Sequence, residues 1–352
     1  MRAAVYRGSG SIVVETTPTP EIGPGELLVR VEACGICHTD LKKVEHNLLP
    51  PPRIFGHETA GVVVKIGAGV GNLRLGDKVI VFHHVPCGQC FYCRRKLYAQ
   101  CPTYKKVGVT AGFEPAGGGF SQYVRVMDWI VRQGVERFAD GVPFARACFV
   151  EPVNTCLKAV VQLDPQPEET CLILGQGPIG LLFTMLVRRT GAKILATDTI
   201  VRRRELAMRF GAREAWDPRV VQIETQVSAA TEERGADLVI VATSAPGLVQ
   251  QAMRCSRPGS RILLFAQTSR QEQVELCGAD ICVGERTLLG CYSASIDLQK
   301  ESARLVFSGE LPVEDLISHQ LPLDAIVSAI ELALHPDEKS LKLIIEPQRW
   351  AQ

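Results

Sequence analysis

Four cysteines fall within fifteen residues, Cys87, Cys90, Cys93 and Cys101 of the stretch CGQCFYCRRKLYAQC. Their spacing, C-x2-C-x2-C-x7-C, puts four thiolates within reach of one centre and reads as a closed tetrahedral zinc site with no position left for substrate. An iron–sulfur cluster and a disulfide pair are the competing chemistries, and a nucleic-acid-binding zinc ribbon is another, given Arg94, Arg95 and Lys96 inside the loop. The chain holds 13 cysteines, an odd number that leaves at least one unpaired, so reduced thiols and metal ligation fit better than a disulfide framework. Cys34, Cys148, Cys156, Cys171, Cys255, Cys277, Cys282 and Cys291 stand singly among apolar residues and read as small packed hydrophobes.

A catalytic metal needs three protein ligands of mixed type and one open position. The segments CGICHTD (34–40) and FGHETAG (55–61), with VEPVNTC further on, offer the Cys37 thiolate, the His57 imidazole and the carboxylates of Glu58 and Glu151. A lone Cys or His is more often a packed core residue, so spacing alone does not assign this set.

A third constellation is Gly175-Gln176-Gly177-Pro178-Ile179-Gly180, which follows an apolar strand-like run and opens a helix-like one. Glycines in that context permit a tight turn and let backbone amides approach a pyrophosphate at a helix N-terminus. The next apolar run, KILATD, ends at Asp198, close to the distance at which a carboxylate accepts hydrogen bonds from the adenosine ribose. Its charge repels a 2′-phosphate and favours NAD over NADP. Arg202, Arg203 and Arg204 follow at once; they would tolerate a phosphate, or form a solvated first helical turn.

The elements that must carry these residues divide the chain. Up to about Pro86, short β-type runs alternate with turn residues: AAVYR, SIVVETT, ELLVRVEA, AGVVVKIG and DKVIVFH. Pro50-Pro51-Pro52 reads as an extended connection into Gly56-His57-Glu58. After about Val153 strands and helices alternate, with CLILG, KILATD, DLVIVAT and RILLFA as buried strands. PIGLLFTMLVRRT, VRRRELAMRFG and GLVQQAMRCS read as helices, with Gly191 and Gly211 as C-terminal stops. Such alternation predicts an α/β fold with a doubly wound parallel sheet. Two further helices, LQKESARLVFSGE and LDAIVSAIELAL, precede a last strand, KLIIE.

At 352 residues the chain has room for about two domains. With 46% hydrophobic and 22% charged residues and a net charge of +1, it offers no electrostatic case for nucleic acid, and small neutral partners fit better. No secretion signal is read at the N-terminus, which predicts a cytoplasmic location. The uncharged stretch 170–187 is near the lower limit of roughly 17–25 residues for a membrane span. Its glycine-rich centre would break such a helix, so no membrane contact is expected.

Read in order, GICHTD, GHETAG, the four-cysteine loop, GGGFSQYV (117–124), EPVNTC and GQGPIG closely resemble the zinc-dependent medium-chain alcohol and polyol dehydrogenases. The resemblance implies a GroES-like catalytic domain over 1–152, an inserted Rossmann domain over 153–291 and a segment, 292–352, returning to the first. It also implies a structural zinc in the four-cysteine loop, a catalytic zinc, NAD, a cleft active site between the domains, and a homodimer or homotetramer. Carried over by motif, Cys37 and His57 are zinc ligands, and Asp40 orients His57 through its other ring nitrogen. Relatives of the alcohol type have a cysteine where this chain has Glu151; the sorbitol- and threonine-dehydrogenase-like branch has an acid there and another beside the histidine, so Glu58 and Glu151 are expected to share the third position. Thr39 corresponds to the hydroxyl that contacts substrate oxygen and passes its proton outward. Lys42 stands where many relatives continue that path with a histidine, and His46 is a substitute. Lys342 falls where relatives set a basic residue against the cofactor phosphates, or is a strand-edge lysine. The implied activity is hydride transfer between NAD(H) and a secondary alcohol, polyol or sugar-like substrate. The alternatives are oxidation of L-threonine or another amino alcohol, and a non-catalytic scaffold of the same fold.

Overall fold

The computed structural model describes residues 1–113, 117–266 and 273–349. They form two units, one of Met1–Val153 with Ser295–Gln352 and the other of Asn154–Ala294.

In the first unit the β-branched runs of the sequence become the strands Leu27–Gly35, Glu58–Ile66 and Lys78–Val81. They lie side by side in an eight-stranded sheet that the late strands Lys342–Glu346 and Ile317–Pro322 complete at one edge. All pairings in it are antiparallel except that of the two late strands. Register decides what meets what: Gly35 lies opposite Glu58 on one side and opposite Ile344 on the other. The core beneath is apolar and closed, with Val5, Leu27, Val29, Ile54 and Ile345 fully buried.

The second unit is a six-stranded, wholly parallel sheet. Across it run Glu214–Trp216, Lys193–Thr197, Thr170–Leu174, Ala236–Val241, Ser256–Leu264 and Thr287–Gly290. Taken along the chain this order is third, second, first, fourth, fifth, sixth, so the direction of winding reverses between Thr170–Leu174 and Ala236–Val241. A ligand crevice is expected at the carboxyl ends of strands at such a reversal. Both of these strands are buried along their whole length, which is why they read as unbroken apolar runs rather than alternating ones.

The stretch 170–187 is therefore strand, turn and helix: Pro178 stands in the first turn of Pro178–Arg188, and Gly191 follows with a φ of +88°. Among the described residues no helix is long and apolar enough to cross a membrane. One reading of the cysteines is corrected. Cys34, Cys148, Cys156, Cys171 and Cys255 are buried as expected, but Cys277 and Cys282 are exposed and Cys291 is half-buried. Cys277 precedes and Cys282 ends the short helix Gly278–Cys282, none of whose residues is buried.

Candidate active site and metal centres

Strand ends bring the mixed ligand set together. Cys37 caps the helix His38–Glu45 two residues after the strand Leu27–Gly35, and His57 immediately precedes the strand Glu58–Ile66. The sulfur of Cys37, a ring nitrogen of His57 and a carboxylate oxygen of Glu58 all lie within 4.8 Å of one another. A thiolate, an imidazole and a carboxylate at that separation suit one zinc ion.

Behind them the polar groups are partnered. Asp40, on the first turn of the same helix, places Oδ1 3.0 Å from Nδ1 of His57, which leaves Nε2 to face the other ligands. Burial alone would lower the His57 pKa, but the charges of Asp40 and Cys37 hold it well above its ordinary value. Glu58 is ion-paired with Lys342, whose Nζ also donates to the Ile36 carbonyl oxygen at 2.9 Å. Lys342 is 6% exposed, with Glu58 and the Ile36 carbonyl oxygen as its partners. It opens a strand that pairs directly with Leu27–Gly35, which carries its side chain inward.

Glu151 is half-buried in the first turn of Val150–Leu163. Its carboxyl is pushed up to about 7 by desolvation and by the Glu58 and Asp40 carboxylates, against the opposite pull of His57 and Lys342. It therefore sits in the field of this cluster without belonging to the tight trio. Thr39 is half-buried on the helix after Cys37. His46, two turns on, is exposed and 3.8 Å from Glu45.

Sequence reasoning passed over His83 and His84, although adjacent histidines just ahead of the cysteine loop were a visible signal. The His57 and His83 ring centroids are 4.7 Å apart, those of His83 and His84 3.8 Å, and those of His84 and Tyr104 5.4 Å. Burial, then the neighbouring His84 and His57, hold His83 well below its ordinary value; His84 is lowered to about 3, chiefly by burial. Both rings are neutral at pH 7 and offer hydrogen bonds but no charge.

The four-cysteine loop is a separate centre. Sγ of Cys90 lies 3.5 Å from that of Cys93, and Sγ of Cys87 lies 3.9 Å from it. Zinc–sulfur bonds of ~2.3 Å place tetrahedral sulfurs about 3.8 Å apart, so this spacing fits one ion. It is too long for a disulfide and too tight for a multi-iron cluster. The Cys87 amide donates to Sγ of Cys101 at 3.5 Å, and Oγ1 of Thr103 lies 3.3 Å from the same sulfur.

In the second unit, the turn after Thr170–Leu174 is built for a close backbone approach. Gly175 has φ +92°, and a Cβ on Gly180 would lie 1.9 Å from the Gly175 carbonyl oxygen. A Cβ on Gly177 would meet only Nη1 of Arg203, at 3.9 Å, so the middle of the turn is open to a ligand. Pro178 and Ile179 begin the helix whose N-terminus points there. Asp198 anchors the neighbouring strand end: Oδ2 accepts from the Gln176 amide at 2.7 Å and Oδ1 from the Ile200 amide at 2.8 Å. Arg203 Nη1 lies 4.0 Å from Oδ2 of Asp198.

A glycine turn at the winding reversal of a parallel sheet, a Cys–His–Glu cluster and a separate four-thiolate loop define a zinc- and dinucleotide-binding oxidoreductase. Residues 23–134 match the alcohol dehydrogenase GroES-like domain and residues 178–308 the zinc-binding dehydrogenase domain. The chain is 31% identical to an L-threonine 3-dehydrogenase of Pyrococcus horikoshii, covering 92% of each. It is 28% identical to a sorbitol dehydrogenase of Bacillus subtilis, covering 99% of this chain and 98% of the relative. A zinc-binding dehydrogenase from Sinorhizobium meliloti, solved bound to NADP, superposes with a TM-score of 0.88 at 28% identity, covering 98% of this chain and 99% of that one. The chain belongs to the zinc-dependent medium-chain alcohol and polyol dehydrogenase family, and is an enzyme of the oxidoreductase class.

Proposed function

We propose that the chain interconverts a secondary alcohol, polyol or sugar-like substrate with its ketone, using NAD(H) and a zinc ion held by Cys37, His57 and an acid position shared by Glu58 and Glu151. The convergence of the Cys37, His57 and Glu58 ligand atoms within 4.8 Å carries this reading. When bound, zinc supplies a Lewis acid that favours the alkoxide form of an alcohol, and the nicotinamide supplies the hydride acceptor. The protein's own groups prepare the site. Asp40 fixes the tautomer and orientation of His57 through Nδ1. The Thr39 hydroxyl receives the substrate proton and passes it outward. Glu151, in the field of His57, Glu58 and Lys342, would exchange with Glu58 as the ligand shell changes.

NAD is the proposed cofactor because the Asp198 carboxylate lies at the strand end where the adenosine ribose is expected, and a 2′-phosphate there would meet its charge. Gly175, Gly177, Pro178, Ile179 and Gly180 hold the pyrophosphate, and Arg203 flanks it. A second zinc in the four-thiolate loop is structural. A cytoplasmic homodimer or homotetramer is part of this reading, on the strength of the family resemblance.

The polyol reading is favoured by the carboxylate-bearing metal set and by the neutral imidazoles of His83 and His84 beside it, which suit hydroxyl groups. Oxidation of L-threonine is the second reading, favoured by the relative at 31% identity. With purified enzyme and NAD, a panel of polyols should produce absorbance at the reduced-nicotinamide band. Silence across polyols with turnover on threonine would reverse the ranking.

A further inference from the structure

The strand Glu214–Trp216 pairs with Lys193–Thr197 so that Trp216 lies opposite Thr197, which sets Asp217 and Asp198 side by side at adjacent strand ends. The two carboxylates are used differently. Asp198 accepts the two backbone amides described above, whereas Asp217 accepts one, from Arg219 at 3.0 Å, and otherwise binds arginine side chains. Oδ1 of Asp217 accepts from Nε of Arg219 at 3.0 Å, and Oδ2 accepts from Nη2 of Arg219 at 2.7 Å and from Nη1 of Arg204 at 3.2 Å. The nitrogens that meet Oδ2 of Asp217 are also tied to the backbone beside Asp198. Arg204 Nη1 donates to the Asp198 carbonyl oxygen at 2.6 Å, and Arg219 Nη2 donates to that of Thr199 at 2.6 Å.

Three arginines, Arg203, Arg204 and Arg219, therefore surround the strand end at which the ribose is expected, against two carboxylates. That is enough positive charge for a phosphate, yet two of the three are fixed on Asp217 and on carbonyl oxygens. We propose that Asp217 is the positioning residue that keeps this enzyme on NAD: it occupies Arg204 and Arg219 and adds its own negative charge, so a dinucleotide bearing a 2′-phosphate meets neither of these two guanidinium groups ready to receive it. Arg219 is the group most readily released, since its side chain is 66% exposed while that of Arg204 is 17% exposed. The inference rests on the reading of the glycine turn and Asp198 as the dinucleotide site.

Its test needs neither turnover nor zinc. Calorimetric titration of the full-length protein with ADP and with 2′,5′-ADP gives the ratio of the two affinities. Asp217→Asn should raise that ratio in favour of 2′,5′-ADP by about tenfold, the scale of one charge lost at short range near a protein surface. Asp217→Ser should do the same, so a fold defect in one variant leaves the other to decide. Adding Arg219→Ala to either should remove part of that gain, the remainder coming from Arg204 and the lost negative charge. A purely structural role would lower both affinities together and leave the ratio alone. An unchanged ratio in both single variants, or a gain that the loss of Arg219 leaves undiminished, overturns the assignment. Gly177→Asp, which the turn has space for, separates the two layers: if ADP still binds this variant with parental affinity, the dinucleotide site itself is misplaced.

Discussion

Gly35 marks the tightest point of the metal cluster. A Cβ there would fall 1.9 Å from Oε2 of Glu58 and 2.9 Å from Cε of Lys342. Both atoms are distal parts of side chains, so Gly35→Ala should leave the fold intact at a cost of about 1 kcal/mol. What moves is the carboxylate. Turnover should fall at least about tenfold, with less zinc retained at the Cys37–His57 centre; metal analysis and steady-state rates read both, and a variant with full zinc and full rate would remove Glu58 from the site. At this scale Cys37, His57, Glu58 and Glu151 were legible as a candidate set only through the family resemblance, since lone Cys and His residues are more often packed in a core. The partner of Glu58 was not: Lys342 lies 284 positions further on by numbering, and only the pairing of Lys342–Glu346 with Leu27–Gly35 brings the two together. His83 escaped for the same reason, since its contact with His57 is made across strands rather than along the chain.

Among the elements, the start of the central strand is held by a charged clasp. Glu26 accepts from the Gly23 amide at 2.7 Å and from Arg125 Nε and Nη2 at 2.8 and 2.9 Å, and so ties the entry of Leu27–Gly35 to the neighbouring strand Tyr123–Val126. Burial alone would raise the Glu26 carboxyl, but Arg125 and the Gly23 amide hold it below the usual carboxylate range. A carboxyl lowered on folding stabilises above its unfolded pKa, and that contribution fades as pH falls through the folded value. Glu26→Gln should therefore cost about 1 kcal/mol near neutrality, a modest figure because Arg125 is 27% exposed. The difference in thermal midpoint from the parent should shrink toward zero below pH 4; a gap that persists in acid would show that packing, not charge, holds the clasp. Strongly periodic or fully buried elements were read well from sequence, including the four central parallel strands and their helices. The helix Val150–Leu163 was missed because Glu151, Pro152 and Asn154 interrupt its apolar rhythm, although proline is tolerated in a first turn. The strand Thr287–Gly290 was missed because it lies at the sheet edge, carries only four residues and is half-exposed.

For the whole molecule, the proposed function gives two metal centres opposite characters. The four-thiolate centre would close on itself, and the Cys–His–acid centre would keep a position for substrate. The protein as purified should contain two zincs, and a chelator should strip the Cys37 centre first. Cys37→Ala should lose one zinc and all turnover with little change in thermal midpoint. Cys93→Ala should lose the other zinc and unfold at a distinctly lower temperature, because a structural site contributes folding energy directly. Equal loss of activity without destabilisation in both variants would contradict that division. The two-unit organisation, with the second unit contiguous and the first assembled from both ends of the chain, has a further consequence during synthesis. Lys342 arrives only with the closing strand. A ribosome that has finished the parallel sheet has still not produced the Lys342 counter-charge for Glu58, and a message truncated before that codon would yield a chain whose Glu58 carboxylate lacks it.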